Sequence, residues 1–329
     1  MIYEKSLEER MHDVTIKPLR VEAAIGPEET AGRSPGSFVV DLLETSGVTP
    51  QSGDVLVVSS KVASFFEGGL VRLEAIRPSR KARWLALVFG KDPRKLQVLM
   101  ETGKVLVVVP LKWILRIPSV RRMMIERSAN PEAMIEGYSR INNHTFIVRA
   151  HAAYLDEAGI DHTNSPDGYI SVLPPNPCAT AASIRDAVRE RFEQEVAAII
   201  TDTVTSVGRL GSQDVAIGYA GIDPMTRATF SEDLFGVPRS GGIDLVIDSI
   251  AGMAGLVMGQ TTERTPAVLV RGLSYKPERP EDVGRGMRTL SWPEDEQWRM
   301  VLYGALATAW FRVANLLTFQ RWPKRTRSP

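Results

Sequence analysis

The chain has 329 residues, of which 43% are hydrophobic and 24% are charged, and its formal net charge is +1. This length predicts about two domains, and the composition is that of an ordinary globular protein. One cysteine, Cys178, excludes an intramolecular disulfide and a cysteine-based zinc or iron–sulfur site. The charged N-terminus lacks the apolar segment of a secretory signal, so we expect a cytoplasmic protein.

The first 60 residues predict a lead segment, a strand, a helix and a second strand. Residues 1–13 are charged and predict a flexible lead, and 14–19 predict a short strand. Ser37 is a plausible N-cap for a helix that ends at Leu43. Residues 54–60 form a continuous run of mostly Val and Leu, which is typical of a strand buried on both faces. Ser60 and Lys61 follow at its end.

Two basic stretches follow. Residues 78–88 and 93–101 predict amphipathic helices, and 105–109 predict a buried strand. The cations either belong to solvated helix faces or attract a polyanion such as a phosphorylated substrate. Nucleic acid is not favoured, because no recognition motif accompanies the charges. A further segment, 110–141, places Trp113 and Ile117 beside cations, which fits a membrane surface, a lid or a dimer arm.

The middle of the chain predicts several strands and two helices. Short strands are expected at 146–150, 169–172, 214–218, 243–247 and 266–270, and helices at 177–194 and 249–258. Residues 196–201 predict a buried strand, with Asp202 and Thr203 at its exit. Such a polar rim suits a hard cation or a phosphate, but it is also typical of a turn in which Asp202 bonds the backbone.

The C-terminal part, 276–329, predicts an extension with a long apolar helix at 298–319. Arg312, Asn315 and Gln320 interrupt the apolar run, so a transmembrane span is not favoured. We expect this helix to dock on the core or on a second subunit.

An ordered set of short motifs identifies a family. The chain reads AGIDHTN at 158–164, ITDT at 200–203, DVAIG at 214–218, VMGQ at 257–260 and PAVLVRG at 266–272. In this order the motifs resemble those of the coenzyme F(420):L-glutamate ligases, the gamma-glutamyl ligases of the deazaflavin coenzyme. The resemblance covers about 53–272.

The resemblance implies a fold and a set of site residues. It implies an α+β, mixed-sheet, two-domain fold in an intertwined homodimer, with a ligase-like core at 14–275 and an insertion at about 110–143. It also implies Mn²⁺ or Mg²⁺, with GTP as co-substrate. The metal positions would be Asp161, Asp202, Thr203 and Gln260, and the nucleotide contacts Ser60, Lys61 and Asn164.

The activity implied by the resemblance is an amide ligation that proceeds through an acyl phosphate. Its substrates would be L-glutamate and the phosphodiester-linked lactyl carboxylate of the coenzyme precursor. Phe65 departs from the family, because a lysine is common at that position. Two alternatives therefore stay open. One is a paralogue that binds a metal and a phosphorylated metabolite without ligase activity, and the other is a ligase for another acid and amine.

Overall fold

The structure is a computed structural model that describes residues 13–140, 144–205, 211–291 and 294–317. The chain divides into two compact units, Met1–Thr289 and Leu290–Pro329, which are described separately. Most of the predicted lead, residues 1–12, lies outside the described residues.

Strands and helices alternate irregularly along the first unit. The strands are β1 (Thr15–Leu19), β2 (Val55–Ser59), β3 (Leu70–Arg72), β4 (Lys104–Val109), β5 (Thr145–Ala150), β6 (Ala153–Asp156), β7 (Tyr169–Ser171), β8 (Ala197–Thr205), β9 (Ser212–Ala220) and β10 (Ala267–Arg271). The helices are α1 (Pro27–Thr30), α2 (Pro35–Thr45), α3 (Ser60–Phe65), α4 (Arg80–Phe89), α5 (Pro93–Thr102), α6 (Leu111–Ile114), α7 (Pro118–Glu126), α8 (Pro131–Arg140), α9 (Pro177–Phe192) and α10 (Val246–Met258).

The central sheet has the strand order β1-β10-β2-β8-β9. The β2 and β8 strands run parallel, and the other neighbours are antiparallel, so the sheet is mixed. Leu56, Val58 and Ile200 pack on one face with α2 and α9. The alternate residues Val57 and Ile199 are also fully buried, as expected for a sheet covered on both faces. The α+β prediction is therefore confirmed.

A buried ion pair lies at one end of this sheet, where β2 begins and β10 ends. Arg271 at the end of β10 donates to both carboxylate oxygens of Asp54, at 2.8 and 2.6 Å. Asp54 is buried just before β2 begins. The arginine of the PAVLVRG motif thus has a structural role, because loss of either partner would leave a buried charge unpaired.

Two smaller sheets flank the core. One pairs β3 with β7, and the other has the order β4-β5-β6. Helices α4 and α5 contribute Ala86, Leu96 and Leu99 to a second apolar cluster with Phe146 and Val148 of β5. The predicted burial of β4 is wrong: Val107 is 53% exposed. The reason is that β4 is an edge strand, which the two helices do not fully cover.

Three further sequence predictions need correction. The predicted strand at 243–247 does not form, since Leu245 makes an isolated bridge to Met225 and α10 begins at Val246. Short apolar runs do not distinguish strand from helix by periodicity alone. The first long helix is capped by Ser34 rather than Ser37, because Pro35 occupies its first turn. The β8 strand also continues past Thr201, so Asp202 and Thr203 lie within it.

The segment predicted as an insertion contains α6, α7 and α8, with residues 141–143 outside the described part. In the second unit, α11 spans Glu294–Leu317. No helix among the described residues is both long enough and apolar enough to cross a membrane.

Candidate functional site

A cavity of about 1040 Å³ opens at the carboxyl ends of the parallel strands β2 and β8. Ligands in α/β structures commonly bind at this kind of edge, because the loops that leave the strands surround it. All seven residues predicted for the site line the cavity, namely Ser60, Lys61, Asp161, Asn164, Asp202, Thr203 and Gln260. The fold therefore brings together residues as far apart in the sequence as Ser60 and Gln260, which are separated by 200 positions.

Two consecutive residues at the start of α3 reach two different aspartates. Ser60 Oγ donates to Asp202 Oδ1 at 3.0 Å. Lys61 Nζ donates to Asp161 Oδ2 at 2.5 Å and to the carbonyl of Thr163 at 2.8 Å. Both residues were predicted as nucleotide contacts. In the structure their side chains bond the two predicted metal-binding aspartates.

The first polar group, which we term the lysine cluster, consists of Lys61, Asp161 and Thr163. Asp161 accepts hydrogen bonds from the backbone nitrogen and the hydroxyl of Thr163, at 2.9 and 2.7 Å, in addition to the bond from Lys61. Burial acts to raise the pKa of Asp161, but the bonds from Lys61 and Thr163 outweigh it and hold the pKa below its ordinary value. Asp161 is thus a charge-compensated carboxylate.

The second group, the carboxylate cluster, consists of Ser60, Asp202, Thr203, Asp214 and Gln260. Burial raises the pKa of Asp202 to about 7, the charge of Asp214 adds to this effect, and the hydrogen bond from Ser60 opposes it. The residue as a whole is half-buried, yet its Oδ2 atom is inaccessible and has no hydrogen-bond partner. A buried acceptor of this kind is costly unless something pairs with it.

A bulge in the pairing of β8 with β9 lies beside the carboxylate cluster. Ile200 pairs with Gly218 but Thr201 pairs with Ala216, so Ile217 is the extra residue. Bulges bend a strand and redirect its side chains. Beyond the bulge, Thr203 lies directly opposite Asp214.

Asp214 links two predicted metal positions, and the sequence analysis did not identify it as a site residue. Its Oδ1 accepts from Thr203 Oγ1 at 2.8 Å and from Gln260 Nε2 at 3.2 Å, and Thr203 Oγ1 is 3.2 Å from Gln260 Oε1. Burial raises the pKa of Asp214, against these hydrogen bonds. The available signal was the first residue of the DVAIG motif, but only the strand register places it at Thr203.

Two glycines allow the close approaches that build the cluster. A Cβ on Gly159 would lie 2.9 Å from Asp202 Oδ2 and 2.6 Å from Leu173 Cδ2. Gly159 also has φ +68 and ends a left-handed turn that begins at Glu157. A Cβ on Gly255 of α10 would lie 2.4 Å from Asp214 Oδ2. The glycine of the AGID motif is therefore required by packing against Asp202.

The remaining predicted residues lie at the cavity wall. Asn164 has φ +51 in a turn where the Ser165 nitrogen donates to the His162 carbonyl at 3.2 Å. It is therefore both a turn residue and a lining residue. Phe65 is buried and lines the cavity, whereas Phe66 stacks on Phe38 in the core with ring centroids 4.5 Å apart.

The donor set of the carboxylate cluster fits a hard divalent cation. Carboxylate, hydroxyl and amide oxygens are the ligands that Mg²⁺ and Mn²⁺ prefer. A cation would also supply the partner that Asp202 Oδ2 lacks. No three His, Cys, Asp or Glu side chains converge as a metal site anywhere in the described parts of the chain. A cation here would therefore depend on neutral oxygen ligands and water as well as on carboxylates.

The chain is similar to one group of known proteins. A family model described as F420-0:Gamma-glutamyl ligase matches residues 28–272. A protein of Methanopyrus kandleri named coenzyme F420:L-glutamate ligase is 33% identical over 265 residues, which cover 80% of this chain and 92% of the relative. Proteins with the same name are similar in Methanothermobacter thermautotrophicus, at 30% over 74% of this chain and 85% of the relative, and in Methanosarcina mazei, at 29% over 73% and 87%.

Proposed function

The chain belongs to the F420-0:gamma-glutamyl ligase family, and from this premise we propose that it joins an amino acid to a carboxylic acid as an amide. The relatives' names give coenzyme F420 and L-glutamate, and we propose that L-glutamate is the amino acid here and that a precursor of this coenzyme is the acid. The observation that carries the proposal is Asp202, which lines the same cavity as Asp214 and Gln260 and has a buried Oδ2 atom without a hydrogen-bond partner.

We propose that Mn²⁺ or Mg²⁺ binds at the carboxylate cluster, with Asp161 as a further ligand. Asp202, Thr203 and Gln260 would hold it together with Asp161, and Asp214 would keep Thr203 and Gln260 in place. When bound, the cation neutralises negative charge on the phosphates and on the group being transferred. Lys61 already neutralises Asp161, so a cation that uses this carboxylate must displace the ammonium group or share the oxygen with it.

The reaction we propose has two steps with GTP as co-substrate. An oxygen of the acid's carboxylate attacks the γ-phosphorus, the bond between this phosphorus and the β–γ bridging oxygen breaks, and GDP leaves with its charge. The amine nitrogen then attacks the carbonyl carbon of the acyl phosphate. The C–O bond breaks, inorganic phosphate leaves, and the nitrogen loses a proton. Positioning and charge neutralisation supply most of the catalysis in such transfers.

We propose that the lysine cluster assists the first step. Lys61 Nζ lines the cavity, and besides its short bonds to Asp161 and the Thr163 carbonyl it makes only a long contact of 3.5 Å to Thr163 Oγ1, so its third proton can turn to a ligand. We propose that this proton contacts a phosphate oxygen of the nucleotide. Phe65 offers an apolar wall nearby, against which an aromatic or aliphatic part of a substrate can rest.

The proposal is tested by nucleotide-dependent heat stabilisation and by product formation. We expect GTP to raise the melting temperature with Mn²⁺ present but not with Mn²⁺ absent, and we expect an amide product when glutamate and the coenzyme precursor are added. Stabilisation without product for any acid and amine pair would favour the non-catalytic paralogue. A product with a different acid or amine would favour a ligase of other specificity. No stabilisation by any metal and nucleotide would contradict the site itself.

We further propose that the protein is a homodimer. The C-terminal helix α11 carries exposed Tyr303, Trp310 and Phe311, and large exposed apolar patches are typical of protein–protein contact surfaces. Light scattering on detergent-free protein is the measurement. A monomer at all protein concentrations tested would contradict this proposal without affecting the ligase activity.

A further inference from the structure

Helix α4 has one buried face and one exposed face, and the two faces differ in chemistry. Ala82 and Ala86 are buried, and Leu85 and Phe89 join the apolar cluster that α4 shares with α5 and β5. These positions recur every three or four residues, as on one side of a helix. The opposite side therefore faces away from the apolar cluster.

The exposed side, which we term the α4 face, combines large apolar side chains with cations. Trp84, Leu87 and Val88 are 64%, 85% and 52% exposed. At 100° per residue, these three and the three cations fall within one arc of about 160° of the helix. The six residues are Arg80, Lys81, Arg83, Trp84, Leu87 and Val88.

The charge of the α4 face is not neutralised locally. Helix α4 contains no acidic residue. Within the described ranges, no ion pair involves Arg80, Lys81 or Arg83. Arg77 and Arg83 also line a shallow depression of about 500 Å³ with Glu74, Asp92 and Arg94, of which the last two are paired with each other.

The cations and the exposed apolar side chains of the α4 face favour one class of partner over another. A second copy of the chain meeting it about a two-fold axis would bring the same cations together, which is unfavourable. An anionic lipid surface satisfies both parts of the face. Its phosphates meet the cations, and its headgroup boundary takes the ring of Trp84 and the side chains of Leu87 and Val88.

We propose that the α4 face binds an anionic membrane surface. The helix would lie in the plane of the headgroups without crossing the bilayer, since ten residues span only about 15 Å. The proposal does not depend on the ligase activity, because the α4 face contains none of the residues that line the cavity.

The test is sedimentation of the full chain with phosphatidylcholine vesicles and with vesicles that contain phosphatidylglycerol as well. We expect binding to the anionic vesicles, little binding to phosphatidylcholine alone, and release at high salt. R80Q/R83Q should weaken binding by about 30-fold, which corresponds to about fivefold for each charge near an anionic surface. W84S/L87S should weaken it by at least about tenfold.

Matched variants separate the α4 face from general effects. R189Q/R191Q removes two charges from α9, and L256Q replaces a leucine of α10 that is 88% exposed. Both should bind the anionic vesicles as the wild type does. Circular dichroism of each variant checks that it is folded, and W84F provides a milder variant if W84S/L87S does not fold.

Several outcomes would overturn the proposal. They are equal binding to both vesicle types, no binding to either, and loss of binding in the control variants but not in the α4 variants. Displacement from vesicles by inorganic phosphate at matched ionic strength would indicate a site for free anions instead. Conversion of a dimer to a monomer by W84S/L87S would indicate a subunit interface.

Discussion

The two polar clusters of the cavity contain similar carboxylates in opposite electrostatic states. Asp161 in the lysine cluster has an ammonium group at 2.5 Å, and its pKa lies below the ordinary value. Asp202 in the carboxylate cluster accepts from the hydroxyl of Ser60 and from the backbone of Thr203, and burial raises its pKa to about 7. The two carboxylates therefore differ in charge compensation, because Asp161 has a cationic partner from the chain itself and Asp202 accepts from a neutral hydroxyl.

The comparison also separates two roles that sequence motifs do not distinguish. Both aspartates belong to motifs that imply metal binding. The structure places the ammonium group of Lys61 at one of them, Asp161, and this is the group that we propose contacts a phosphate. The other aspartate, Asp202, shares its cluster with the side-chain oxygens of Thr203, Asp214 and Gln260. The four predictions below test this distinction, from the largest expected effect to the smallest.

Asp202→Asn should have the largest effect. We expect Mn²⁺ affinity to fall by at least about 100-fold, measured by calorimetry, since a carboxylate ligand becomes a neutral amide. Without metal, the variant should be more stable than the wild type at pH 8, because burial raises the pKa of Asp202 to about 7 and the substitution removes a charge that is costly to bury.

The control for Asp202→Asn is Asp167→Asn, which removes a carboxylate close to the cavity but outside its lining. Its Mn²⁺ affinity should equal that of the wild type. Unchanged affinity in Asp202→Asn would show that the carboxylate cluster is not the metal site.

Asp214→Ala should lower Mn²⁺ affinity by about 10–100-fold, the usual effect of removing a group that orients metal ligands. The physical reason is that Thr203 and Gln260 lose their shared acceptor. Asp214→Asn keeps an acceptor oxygen and should retain more of the affinity. Equal losses in both variants would mean that the charge of Asp214, and not its hydrogen bonds, is what matters.

Lys61→Met should lower GTP affinity by about tenfold, the worth of a charge-assisted hydrogen bond, but should not lower Mn²⁺ affinity. Asp161 would then be free of its ammonium partner and more available to a metal. Nucleotide and metal titrations measure the two effects separately.

Lys104→Met is the control for Lys61→Met. It removes an exposed lysine at the start of β4 that does not line the cavity. Both affinities should stay as in the wild type. A fall in Mn²⁺ affinity in Lys61→Met would place the lysine among the groups that support the metal.

The pH dependence of the Mn²⁺ affinity should be the smallest of the four effects. As the pH falls below about 7, protons compete with Mn²⁺ for Asp202, so affinity should decline by at most about tenfold per pH unit. Asp161 should add no slope in this range, because its pKa lies below the ordinary value.

The stability of the metal-free protein should change with pH in the direction opposite to the Mn²⁺ affinity. The folded metal-free protein binds a proton at Asp202 more tightly than the unfolded chain does. Its stability should therefore fall as the pH rises from about 4 to about 7, and level off above. Calorimetry of the wild type and Asp202→Asn over this range measures both effects, and a flat wild-type profile would contradict the raised pKa.

Sequence patterns predicted the parts of the fold that are buried on both sides. The runs that became β2, β8 and β10 contain consecutive Val, Ile, Leu and Ala, and such runs beside turn residues are typical of strands covered on both faces. The same patterns misjudged β4 and residues 243–247, because apolar residues alone do not tell whether another element covers them.

For the site, the sequence by itself determined the residue types and the family. The resemblance implied seven positions, and all seven line one cavity. Only the tertiary structure decided how they are paired. The β8–β9 register and its bulge set Thr203 against Asp214, and the start of α3 sends Ser60 to Asp202 and Lys61 to Asp161. Pairing depends on distances between segments far apart in the chain, which no local pattern encodes, and the electrostatic state of each carboxylate follows from its pairing and burial.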